Sequence, residues 1–160
     1  MNIKKMIAKL TAAVLLPAAL LTGCGGGESA VADVPPADVL KAVTDEIPFA
    51  AAATKDESEL EVYYKDIDAS KVESAALCLS VGHPDEIAII KFKQDSDAKD
   101  AEAALQKRLD EQIKTYESYD PDNMYKLEGA KIYSKGSYAV LLAVEDNDKA
   151  KSIVDGKLAG

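Results

Sequence analysis

Cysteine, histidine and arginine are nearly absent from this chain, which has two, one and one of them in 160 residues. One cysteine, Cys24, sits between a greasy segment and a glycine run, so Cys78 is the only thiol left for a folded body. No internal disulfide is expected, and a zinc site built on cysteines is excluded. Cys78 lies among small neighbours, Ala76 and Ser80, with no cation close in sequence, and reads as a shielded small hydrophobe. The single histidine, His83, would have to be the base of any Ser-His-Asp triad. It lies instead in a predicted Gly82-His83-Pro84 turn with no activated-serine motif nearby. Asp85 and Glu86 are its nearest acids, but neighbours on a strand point to opposite faces and cannot join one ligand set. A solvated turn histidine is the reading that remains.

Basic charge is also scarce. All 28 acidic residues follow Cys24, against sixteen of the 19 basic ones, so this part of the chain carries a net −12. Such a body is repelled by nucleic acid phosphates and by anionic headgroups, and no nucleic acid partner is expected. The charge serves solubility, or it faces a cationic partner. Paired carboxylates are unavoidable at this acid content and by themselves say nothing of glycoside hydrolysis.

No apolar run is long enough to span a bilayer comfortably. Leu10 to Leu21 is uncharged over twelve residues, where a transmembrane helix needs about 20. Lys4, Lys5 and Lys9 precede it and Leu21-Thr22-Gly23-Cys24 follows, which together form the three-part pattern of an export signal. The last four residues resemble the lipobox of a bacterial lipoprotein. That resemblance implies a signal peptide over 1–23, a diacylglyceryl group on the Cys24 thiol, and cleavage before Cys24. The protein would then be held by lipid at the outer face of the bacterial cytoplasmic membrane. Two acyl chains suffice for stable attachment, at about 0.8 kcal/mol per buried methylene. Residues 24–36, with three glycines and Pro35-Pro36, read as the lipidated cysteine and a flexible tether.

Residues 37–160 are enough for one globular domain with a real core. Val39, Leu40, Val43 and Ile47 predict a helix from Pro36 to about Ile47. Ala50 to Lys65 is ambiguous. Two strands are predicted over Glu73–Val81 and Glu86–Lys93, and two more over about Ala130–Tyr133 and Tyr138–Glu145, turning at Lys135-Gly136. Between the pairs runs the strongest helix, Asp97 to about Ser118, striped by Ala101, Leu105, Leu109, Ile113 and Tyr116. A last helix covers about Asp148 to Leu158. The pattern is a faint repeat of strand, strand, acidic turn and helix. The expected fold is α+β, a mainly antiparallel sheet of about four strands from two strand-strand-helix units, flanked by helices. The strands are apolar on both faces and need cover on both. Two helices on one face with the N-terminal helix on the other would supply it, or a partner subunit would.

"DEIAIIKFK", "LQKRLDEQIKTYESY", "KLEGAKIYSKGSYAVLLAV" and "DNDKAKSIV" together resemble the Domain of Unknown Function 4358 family of bacterial lipoproteins. The likeness runs from about Pro36 to Val154 and includes the leader. It implies fold and location and brings no activity with it.

No catalytic residue, metal ligand or cofactor is assigned. The calcium-loop pattern asks for oxygen ligands at positions one, three and five and glycine at six. Asp120-Pro121-Asp122 fails at Met124 and Tyr125, Asp95-Ser96-Asp97 at Lys99, and Asp146-Asn147-Asp148 at Ala150. The last two precede helices, where acids cap free N–H groups and complement the dipole. Five of the seven tyrosines fall between Tyr116 and Tyr138. Tyr119 and Tyr125 are the candidates for a surface that binds a protein, peptide or glycan, since tyrosine offers a stacking face and a hydroxyl. Arg108 lies on the border of the long helix stripe, where a cation must snorkel or find an acceptor. Asp85 or Glu86 would serve as an internal partner, and recognition of an anionic ligand is the alternative. A non-enzymatic binding or assembly module is the leading expectation. A small-ligand receptor accessory to a transporter and a cell-envelope hydrolase stand behind it.

Overall fold

The computed structural model describes residues 30–160. The leader, Cys24 and the first tether residues lie outside the described residues. The helix α1 (Pro36–Glu46) opens on Pro35-Pro36, whose fixed φ suits a first turn, and buries Val39, Leu40 and Val43. Five strands form one antiparallel sheet in the order β1-β2-β3-β5-β4. They are β1 (Ala52–Asp56), β2 (Val72–Ser80), β3 (Glu86–Phe92), β4 (Lys131–Lys135) and β5 (Tyr138–Ala143). The remaining helices are α2 (Leu60–Tyr63), α3 (Asp95–Tyr119), α4 (Met124–Glu128) and α5 (Asn147–Lys157).

The sheet has one strand more than the sequence pattern suggests, because the ambiguous segment supplies β1 at an edge. Its residues are alanine, threonine and two charges, alternately half-buried and exposed. An edge strand covered on one side has no apolar run to betray it. The two strand pairs of the repeat meet through their second members, β3 against β5, with Ile87 opposite Leu142 and Ile89 opposite Val140. Both central strands are buried along nearly their whole length.

The helices divide differently from the expectation. The 25-residue α3 covers one face with α2 and α4 beside it, over Leu77, Ala88, Ile90 and Leu141. At ~1.5 Å per residue it is about 37 Å long, enough to run the length of the sheet. The other face, with Ile87, Ile89, Val140 and Leu142, is covered by α1 and α5 together. The shared repeat pattern therefore fails for α5. Ala150, Val154 and Leu158 belong with Val39 and Val43, and an eleven-residue α1 is too short to cover that face alone. Of the two acidic segments proposed to cap helices, only one does so: Asp146 accepts from the Lys149 N–H at 2.9 Å. Asp95 and Asp97 instead occupy the first turn of α3, whose N-cap, Gln94, makes no side-chain cap. Cys78 is fully buried, and burial raises its thiol pKa.

The two ends of the sheet are distinct. At one, β2 turns into β3 through Gly82, whose φ of 81° favours glycine. At the other, β4 turns into β5 through Gly136, with φ 53°. A Cβ there would stand 3.0 Å from a methyl of Val31, so conformation and close approach both select glycine.

Candidate functional site

Two adjacent acids, Asp85 and Glu86, follow the Gly82 turn, and each is only 2% exposed. A buried carboxylate needs its own partner, and each has one. Arg108 on α3 donates from Nε to both Glu86 oxygens at 2.9 and 3.2 Å, and from Nη2 to Oε2 at 2.8 Å. The phenol of Tyr64 donates to Glu86 Oε1 at 2.5 Å. Arg108 also stands over the Tyr64 ring, 5.8 Å from its centroid. Turned with its oxygen toward the guanidinium, the Gln112 amide accepts from Arg108 Nη1 and Nη2 at 2.8 Å. Lys126 on α4 donates to both oxygens of Asp85 at 3.0 Å and lies 3.6 Å from Glu145. Asn147 fixes that corner by accepting from Val144 N–H and donating to the Lys126 carbonyl, each at 2.9 Å.

Burial pushes the Tyr64 phenol well above its ordinary pKa, and the Glu86 charge adds to the rise. Burial alone would lower the Arg108 pKa, but contact with Glu86 outweighs it and the guanidinium ends above its ordinary value. The guanidinium is thus kept charged and the phenol protonated.

Above these pairs lies a cleft of about 360 Å³ whose walls include Tyr63, Val81, His83, Arg108, Gln112 and Tyr116. Its rim joins the Gly82 turn to the end of α3. The Tyr119 hydroxyl is 3.9 Å from where a Cβ on Gly82 would stand, and His83 Nδ1 is 3.5 Å from Asp120 Oδ2. Val81 and Tyr119 are 72% and 70% exposed, and Tyr116 and Tyr119 meet edge to face at 6.0 Å.

Of the residues singled out from sequence, Arg108, Asp85, Glu86 and His83 line the cleft, and Tyr119 stands just outside that lining, beside the Gly82 turn. Glu86 proves to be the partner of Arg108, and Asp85 belongs to Lys126 instead. Tyr125 does not line the cleft. Its phenol donates to Glu145, and that bond, with some burial, pushes its pKa up to about 12. Cys24 lies outside the described residues. Sequence reasoning missed Tyr64 and Lys126. The available signal was the Asp85-Glu86 pair opening an otherwise apolar strand, since two buried acids need two cations or donors. Among the described residues no group of three or more His, Cys, Asp and Glu side chains could hold a metal ion, and no helix is long and apolar enough to cross a membrane.

No curated protein and no solved structure matches the chain. A family model, Domain of unknown function (DUF4358), matches residues 47–144. That span holds the sheet, α3, both acids and both their cations, while α1 and α5 fall outside it. The match covers more than half of the chain, which therefore belongs to the DUF4358 family.

Proposed function

We propose that the chain is a lipid-anchored extracytoplasmic lipoprotein acting as a non-enzymatic binding or assembly module, and that it engages its partner at the Gly82 end. The observation that carries this reading is the exposure of Val81 and half-exposed His83, on either side of Gly82, and of Tyr119, whose hydroxyl stands next to Gly82. Large apolar side chains exposed together mark an interaction surface more often than a catalytic one. Beneath them the charged groups are already answered: Glu86 by Arg108 and Tyr64, and Asp85 by Lys126. A carboxylate locked in this way is a poor general base, which argues against the hydrolase. The partner class is an envelope protein, peptide or glycan that offers an apolar or aromatic element to the rim. The Cys24 leader supports attachment to the outer face of the cytoplasmic membrane.

The cleft itself favours a second reading, capture of a small ligand as an accessory receptor. Its volume lies at the low end of ligand pockets, and Gln112, His83 and Thr115 converge on it. Photo-crosslinking in intact cells separates the two. A photoreactive residue at position 119 should trap a macromolecular partner, and one at Ser96, at the far end of α3, should not. No adduct from either position would refute the module reading, and protection of His83 from chemical modification by a small solute would favour the receptor.

A further inference from the structure

The segment leading into α1 is bound to the body at four points. Val31 bridges to Ala159, and Ala32 N–H donates to the Leu158 carbonyl at 3.1 Å. The Tyr138 hydroxyl accepts from Val34 N–H at 2.9 Å and donates to the Val34 carbonyl at 2.8 Å. Asp33 meets Lys91 at 2.9 Å. Val31 and Val34 also pack on the α1/α5 core, and Val31 lies against Gly136. Val31 therefore lies beside the Gly136 turn, at the end of the sheet opposite the Gly82 turn.

We infer that the domain stands on the membrane with its Gly136 end toward the lipid and its cleft end facing away. This rests on the lipid-anchor reading of Cys24. Only residues 25–30 separate Cys24 from the docked Val31, and six residues reach at most about 22 Å. α3 starts near the Gly136 end and finishes at Tyr119 beside the cleft, and its 25 residues span about 37 Å. The leash is shorter than the body, so the domain cannot invert to bring the cleft onto the bilayer. Lying flat is opposed by the net −12 of the chain after Cys24, which anionic headgroups repel. The ligand of the cleft is thus a molecule presented from the envelope beyond the membrane, and not the lipid surface.

The test uses α3 as a ruler. Ser96 and Ser118 are exposed near its two ends, 22 residues or about 33 Å apart. Each is changed to Cys in the full lipidated protein, where Cys78 is buried, and labelled with a donor dye. The protein is reconstituted into phosphatidylethanolamine–phosphatidylglycerol vesicles carrying a headgroup acceptor and floated. Energy transfer severalfold stronger from Ser96→Cys than from Ser118→Cys is expected. Protein that floats but transfers equally from both, or more from Ser118→Cys, overturns the orientation and leaves the anchor intact. Protein that does not float overturns the anchor and the orientation with it.

Discussion

Beneath α3 the sheet offers Leu77, Ala88, Ile90 and Leu141, and at its Gly82 end the buried carboxylate of Glu86. Beneath α1 and α5 it offers Ile87, Ile89, Val140 and Leu142, and the Tyr138 hydroxyl there holds the backbone of Val34. One face is sealed by hydrocarbon, whereas the other carries ionised groups at one end. Buried ion pairs rarely add stability over well-packed apolar residues. The charges under α3 are therefore poorly explained by stability. They fix the floor of the cleft and the position of α3 above it.

The largest expected effect comes from breaking that floor on one side. Arg108→Met leaves Glu86 charged and buried and should cost about 3–5 kcal/mol in denaturant titration. The double variant Glu86→Leu with Arg108→Met should recover most of that loss, which would confirm that the pair is kept for something other than stability. Unchanged stability of the single variant would return Arg108 to the surface. On the opposite face Leu142→Ala should cost about 2–5 kcal/mol through a cavity, with no effect on ligand capture.

Tyr64→Phe removes a donor to an ionised Glu86 and should cost about 1.5–3 kcal/mol. Its sign with pH follows from the raised phenol. The folded-state pKa lies above the unfolded value of about 10, so the contribution is complete below about pH 10 and is lost as pH rises from there through the folded-state pKa. Wild type should weaken in alkali more steeply than Tyr64→Phe; identical alkaline slopes would mean that Tyr64 is not buried as described. Smaller again, Tyr138→Phe should cost about 1 kcal/mol. It should also raise hydrogen exchange in residues 31–34 while sparing the cleft.

Most of the sheet is legible in the sequence because β2, β3 and β5 are apolar on both faces and bounded by turns. The stripe of α3 is legible for the same reason. β1 and α2 are not, since Ala50 to Lys65 mixes alanines with charges and shows neither period. The side taken by α5 is hidden because an apolar stripe states that a helix packs, not on which face. At the site, Arg108 announces its need for an acid, and Glu86 lies within reach of that argument. Tyr64 and Lys126 do not announce themselves, because their contacts join residues 22 and 41 apart through tertiary convergence. The cleft is a product of that convergence, and no local pattern encodes it.

The recognition proposed for the Gly82 end of the α3 face is tested most directly by rim substitutions. Val81→Ser with Tyr119→Ser alters two exposed side chains and should shift stability by no more than about 0.5 kcal/mol. The measurement is the amount of envelope partner crosslinked to the lipidated protein in intact cells, scored beside the melting temperature. The account predicts severalfold less captured partner at an unchanged melting temperature. Undiminished capture by a fully folded double variant would contradict it.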